Sequence, residues 1–413
     1  MLIKFSFKNF KSFKNENCLD MEATSLKEHE YNVAKIDNNE YLKVSAIYGA
    51  NASGKTNVIR AFDFMRIKVL VDNRIPTNFN IEGRNINSYM MNDEPISLEV
   101  EMITKNKDIY RYGFSLKGNE IISEWLQKKK INKFYDILER ENDNAKVQIG
   151  GKYKTYPKVD KSSLFLSIYR SLHTDDKDFN SVFDWFVNVQ VLNFGEIGFE
   201  GFMSDIVRPQ MYSKIINNKR YKEQLVNFIK AFDFGIEDIK ITSNNDKIKD
   251  EKETKMELIH RGRDGKIVVL PLDLESSGTI KMINLFDFLI EALKEGQILF
   301  IDELDAKLHP LLTRYIINLF HNSDTNIANG QLIYSTHDTV NLNKETFRRD
   351  EIWFAEKDRD GISEIYALSD YILEDDKNSG RKVRNDATYN KDYLTGRYGA
   401  IPVLEEFEIN YEK

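Results

Sequence analysis

Residues 45–62 read SAIYGANASGKTNVIRAF. A short apolar strand runs into a loop of small residues, then Lys55, Thr56 and a helix. The loop Gly49-Ala50-Asn51-Ala52-Ser53-Gly54-Lys55-Thr56 fits the spacing G-x4-G-K-[ST] in full. Each residue type answers a demand of phosphate binding. Gly49 and Gly54 let backbone N–H groups turn inward around phosphate oxygens, Lys55 supplies a point charge, and the Thr56 hydroxyl can take one Mg²⁺ position. The helix after the loop adds the positive end of its dipole. The nucleotide-side candidates are therefore Gly49, Asn51, Ala52, Ser53, Gly54, Lys55, Thr56 and the adjoining Asn57.

A phosphate loop serves motors, switches, kinases and transporters alike, so its partners elsewhere in the chain decide the class. In ILFIDELD, residues 298–305, four apolar residues deliver Asp302 and Glu303 to the end of a buried strand. One carboxylate can hold Mg²⁺, and the next can polarise an attacking water as general base. In LIYSTHD another apolar strand ends at Ser335, Thr336 and His337. That histidine either reaches a terminal phosphate or caps the next helix. In LDLESSGTIKMINL, residues 272–285, Ser276, Ser277 and Gly278 open a helix. They form either a second anion site or a plain N-cap. A second anion site in a chain with one phosphate loop suggests capture of one nucleotide from two sides.

The chain has 413 residues, a length that suggests two domains or one domain with a large insertion, and its 41% apolar and 30% charged residues are a globular balance. No apolar run is long enough to span a bilayer, and the alternating N-terminus MLIKFSFKNFKSF lacks the apolar core of a signal peptide. Cys18 is the single cysteine, which excludes an internal disulfide and fits a cytoplasmic setting. The net charge of −7 argues against a protein coated in nucleic acid. Two small basic clusters, Lys128-Lys129-Lys130 and Arg381-Lys382-Val383-Arg384, read as solvated faces.

Alternation marks residues 2–10 as a strand with one register slip, 42–49 as a buried strand, and 97–116 as a hairpin about Lys105-Asn106-Lys107, with further strands near 120–130 and 134–140. From about 160, bulky residues at three- and four-residue spacing predict helices. Strands return at 237–242, 255–260 and 266–271, followed by helix 277–294, strand 297–301, helix 309–321 and strand 331–335. The polar stretch 243–254 reads as a hairpin tip.

The ordered set of FKNFKSF, phosphate loop, long gap, ESSGT, FIDELD and STHD resembles the ABC-type ATPases of the SMC, RecF and OLD clade. LESSGT, DELDAKLHP and the later YLTGRYGAIP (393–402) are similar to RloA-like ATPases of abortive-infection and anti-phage systems. The resemblance implies an α/β fold: an ABC-type P-loop nucleotide-binding domain with a mixed sheet and an antiparallel β-subdomain, carrying a helical insertion. Its halves would lie at 1–159 and 236–413 and the insertion at 160–235. It further implies ATP and Mg²⁺ as cofactors, with Thr56 and Asp302 on the metal and Lys55, Glu303 and His337 as catalytic residues. Ser276, Ser277 and Gly278 would meet the γ-phosphate held by the opposite subunit, and Asp305 would lie in the loop crossing that interface.

The implied partners are a second copy of the chain, higher oligomers, and a separately encoded nuclease or toxin effector. Two departures stand out. The signature is Glu275-Ser276-Ser277-Gly278-Thr279 in place of L-S-G-G-Q, and NSYMMNDEPISLEVEM, where a Q-loop is sought, has no glutamine. Arg397 and Tyr398 belong either to a docking turn or to simple packing. A RecF-like DNA-repair ATPase is the alternative function. A self-contained toxin nuclease would need a further metal cluster, but His29, His173, His260, His309, His321 and His337 form no H-x-H or H-x3-H pair, and HTDDKD (173–178) reads as a polar loop.

Overall fold

The strand Val44–Tyr48 that feeds the phosphate loop is buried at every position, because it lies inside a six-stranded sheet with neighbours on both sides. Across that sheet run Val189–Asn193, Ile298–Asp302, Gln331–Ser335, Val44–Tyr48, Ile352–Lys357 and Ser363–Ala367. The first five are parallel and the last is antiparallel. Strands covered on both faces read as continuous apolar runs, as ILFI and LIY do. The computed structural model describes residues 1–71, 87–149, 151–173, 175–196, 198–243, 254–372, 383 and 387–402. The basic residues Arg381, Lys382 and Arg384 and most of the predicted hairpin tip lie outside these.

A second, wholly antiparallel sheet of eight strands carries Leu2–Lys8 and Asn17–Asp20 at one end. The predicted slip in the first strand is a register shift between Leu2 and Lys4. The hairpin about Lys105-Asn106-Lys107 forms from Ile96–Ile103 and Ile109–Lys117. The sheet continues through Glu120–Lys130 and Lys133–Glu141, then through two strands not anticipated from sequence, Asn144–Ile149 and Lys152–Pro157. The phosphate-loop helix Lys55–Leu70 lies between the two sheets. Phe62 stacks on Phe300 at 4.2 Å between ring centroids and meets Phe5 edge-on at 5.1 Å. These aromatic contacts bind both layers into one core.

Within 160–235 the structure corrects the expected run of helices. Phe165–Leu172 and Lys177–Val187 are helical, but Val189–Asn193 is a strand, in parallel register with Ile298–Asp302. The apolar periodicity of a helix and that of a short buried strand merge in FVNVQVLNF, and pairing to the neighbouring strand decides the outcome. The two helices and this strand therefore belong to the main core. The later helices Arg208–Asn217 and Lys219–Lys230 instead pack on an antiparallel sheet of Ile236–Ser243, Thr254–Arg261 and Ile267–Pro271, and on Ile283 and Phe286 of the helix Ser277–Glu295.

The polar alternatives weighed from sequence mostly become structural ties. Lys128 pairs with Asp108 and Asp178 at 2.9 and 3.0 Å, while Lys129 and Lys130 lie over Phe134 and Tyr135. In HTDDKD, Asp176 caps the next helix through the N–H groups of Asp178 and Phe179. Tyr398 is fully buried against Phe354, so this part of the YLTGRYGAIP segment packs against the parallel sheet.

Candidate nucleotide site

The site stands at the C-terminal ends of the parallel strands, where ligands of open α/β sheets bind. A Cβ on Gly49, whose φ is 155°, would lie 2.4 Å from the carbonyl oxygen of Ala355. The loop can therefore run this close to its neighbouring strand only without a side chain. Ala52 adopts a φ of 61°, and Ser53 buries a hydroxyl that has no partner among the described residues. No side chain of the described residues caps the helix Lys55–Leu70, whose N-cap is Gly54. Phe13, from the opening FKNFKSF, lies under Gly54. These features fit a phosphate: a narrow backbone cradle, an uncapped helix start and an orphaned hydroxyl.

Lys55 is buried, and its ammonium donates to the carbonyl oxygens of Gly49 and Ala50 at 2.9 Å each. Burial pulls its pKa down to about 8, against the upward pull of Asp302, Asp305 and Glu303. Thr56 donates its hydroxyl to Asp302 Oδ1 at 3.2 Å. Ser335 donates to the same oxygen, and its own Oγ accepts from the Glu303 N–H at 2.8 Å. The phosphate loop, the two-carboxylate strand and the STHD strand thus meet on one carboxylate. Asn57 turns away from the cradle, donating to Ser12 Oγ at 2.9 Å, and Asn51 is exposed.

Glu303 sits at φ 54°, a left-handed conformation that a glutamate adopts only when its surroundings impose it. The backbone of Gly195 lies flat beside its carboxylate, where an added Cβ would be 3.1 Å from Oε1. Asp305 accepts from the His337 N–H at 3.2 Å. Burial, then the charge of Lys55, lowers the His337 pKa against the opposing pull of Asp305, Glu303 and Asp302.

Ser276 caps its own helix, accepting from the Thr279 N–H at 3.1 Å. A Cβ on Gly278 would meet the Lys307 carbonyl at 3.0 Å. Among the described residues, none of the hydrogen bonds of Ser276, Ser277 or Gly278 reaches the chain's own phosphate loop. His260 Nε2 donates to the Glu275 carboxylate at 2.7 Å, which fixes the residue before this turn.

Two residues of the site escaped the sequence. Asn193 ends the edge strand directly beside Asp302 in register, and its buried Oδ1 has no partner among the described residues. The cue is a short VQVL run closed by Asn193, with Gly195 two residues on. Lys281 is buried on the helix Ser277–Glu295 and points into the turn after Asp302. A lysine on a helix is ordinarily solvated, so only the packing reveals it. Thr56, Asp302 and Asn193 together offer hydroxyl, carboxylate and amide oxygens, a donor set suited to Mg²⁺.

The solved structures that resemble this chain include the SMC head domain of Pyrococcus furiosus, crystallised with the C-terminal domain of ScpA. It is 12% identical, covers 89% of this chain and 96% of that one, and has a TM-score of 0.41. The recombination mediator RecF with ATP is 14% identical over 89% of this chain and 97% of that one, with a TM-score of 0.40. No curated protein sequence matches. No helix among the described residues is long and apolar enough to cross a membrane. A family profile described as "AAA domain, putative AbiEii toxin, Type IV TA system" matches residues 44–343, from the phosphate-loop strand past His337. With that match and a phosphate loop set beside paired carboxylates, the chain belongs to this AAA family of P-loop ATPases.

Proposed function

We propose that the protein is a Mg²⁺-dependent ATP switch, closing as a homodimer around ATP and controlling a separately encoded nuclease or toxin effector in anti-phage defence of the RloA-like kind. The observation that carries the reading is the convergence of Thr56, Ser335 and the Glu303 N–H around Asp302. Lys55 would leave its loop carbonyls for the β and γ phosphates. Thr56 and Asp302, with Asn193 beside them, would hold Mg²⁺, which when bound neutralises phosphate charge. Glu303, held in place by its backbone, accepts the proton of the attacking water. His337 lies at the phosphate end of its strand, its N–H tied to Asp305.

The dimer rests on the Ser276–Gly278 turn, which binds its own helix and leaves the chain's own phosphate loop to others. A γ-phosphate would supply contacts that ADP lacks, which makes closure two-state. The family's description as a putative type IV toxin supports the defence setting. Light scattering with ATP tests the switch: Glu303→Gln is expected to accumulate as a dimer, and Lys55→Ala to stay monomeric and to bind no ATP. Lys55-independent binding would refute the site. Salt-sensitive binding of duplex DNA by the isolated protein would favour the DNA-repair alternative.

A further inference from the structure

Lys281 lies one turn into the helix that opens at Ser277. Its ammonium donates to the carbonyl oxygens of Glu303 (3.0 Å), Leu304 (2.8 Å) and Ala306 (2.8 Å), which uses all three of its protons. The Phe194 ring lies 4.0 Å beneath it. No carboxylate among the described residues forms an ion pair with it. An apolar chain of similar length would fill the same space without burying a charge. What only the ammonium does is draw three carbonyls of one turn to a single point.

That turn holds Glu303 in its left-handed conformation and continues to Lys307, also left-handed at φ 64°. The carbonyl of Lys307 lies against Gly278. The helix therefore grips the turn twice, through Gly278 at its start and through Lys281 one turn later. Phe194 and Gly195 close the other side, one under the ammonium and one against the Glu303 carboxylate.

We propose that Lys281 is a positioning residue that transmits the placement of the Ser276–Gly278 turn to the carboxylate of Glu303. The inference rests on the composite ATP site proposed above. A helix displaced by about an ångström would lose these bonds and carry Glu303 off the line of attack, a misplacement that costs on the order of a hundredfold in rate.

The test is a double-mutant cycle on the full-length protein. Lys281→Met is expected to lower kcat for ATP about 10- to 100-fold, with KM and the affinity for a fluorescent ATP analogue unchanged. In the Glu303→Gln background the same substitution should cause no further loss, because the group it positions is already gone. Should Lys281→Met not fold, Phe194→Leu, which removes the ring beneath the ammonium, is expected to lower kcat several-fold at constant KM. A wild-type kcat in both variants, or a loss that is additive with Glu303→Gln, overturns the role of Lys281 and leaves the site standing. Absence of Lys55-dependent ATP binding in the wild type overturns both.

Discussion

Ser335 carries a load out of proportion to its size, and its removal gives the sharpest test of the site's construction. Its hydroxyl is fully buried, donates to Asp302 and accepts from the Glu303 N–H. Ser335→Ala deletes a hydrogen bond to a charged group, worth about 1.5–3 kcal/mol, and leaves a backbone N–H unsatisfied at a further cost of about 1–3 kcal/mol. Since the two bonds share one atom, their losses do not simply add, and a total of about 2–4 kcal/mol is expected. For 413 residues at about 2.1 cal/mol/K each, the unfolding entropy is about 0.9 kcal/mol/K, so the melting temperature should fall by about 2–5 °C. Ser45 provides the control. It lies on the adjacent strand, paired with Ile333, and its buried hydroxyl has no partner among the described residues. Ser45→Ala is therefore expected to be neutral or stabilising. Calorimetry of the two variants, with kcat measured alongside, decides the matter. Equal melting temperatures, or a larger loss from Ser45→Ala, would refute the assignment of Ser335 as the tie between the carboxylate and the catalytic turn.

Three other outcomes are expected from the structure. Gly49→Ala puts a methyl group 2.4 Å from the Ala355 carbonyl and is expected to abolish ATP binding measured by calorimetry; retained affinity would show that the loop does not hold this path. Tyr398→Ala removes a fully buried ring and its hydroxyl bond to Asp392 and should cost about 3–5 kcal/mol in urea unfolding, with nucleotide affinity intact in the folded protein. The Lys281 pKa is depressed by burial to about 7, so the folded protein binds this proton less tightly than the unfolded chain does. That penalty is full below pH 7 and is relieved as pH rises toward the unfolded value. Stability of the wild type should therefore rise with pH above 7 more steeply than that of Lys281→Met, as read by urea unfolding at pH 7 and 9. Equal slopes would contradict it.

The phosphate loop, Asp302, Glu303 and His337 were legible because each comes after a short apolar run, and a strand buried on both faces leaves that trace. The hairpin about Lys105-Asn106-Lys107 was legible from its alternation. The edge strand Val189–Asn193 was hidden because it comes directly after the amphipathic helix Lys177–Val187, and only register with Ile298–Asp302 distinguishes the two. With it went Asn193, which only that register sets beside Asp302. Lys281 was invisible for another reason: its burial comes from a turn that lies beyond its own helix. Asn57 read as part of the cradle by proximity alone, and its partner Ser12 lies in the turn between the strands Leu2–Lys8 and Asn17–Asp20. Local pattern reports elements well, whereas contacts between distant elements leave no local mark.

The order of strands in the central sheet also governs how the molecule can be made. Val44–Tyr48 finds its two neighbours only at Gln331–Ser335 and Ile352–Lys357, and the amide of Gln331 closes on the backbone of Leu2 at 2.6 Å. During synthesis the phosphate loop leaves the ribosome long before either flanking strand exists. Until then an apolar VSAIY segment has two bare edges, a hazard for wrong pairing. Such long-range closure is slow. A fragment ending before residue 352 lacks the strand Ile352–Lys357 and leaves one edge of Val44–Tyr48 bare. The phosphate loop, made early, is thus flanked by strands that are made much later.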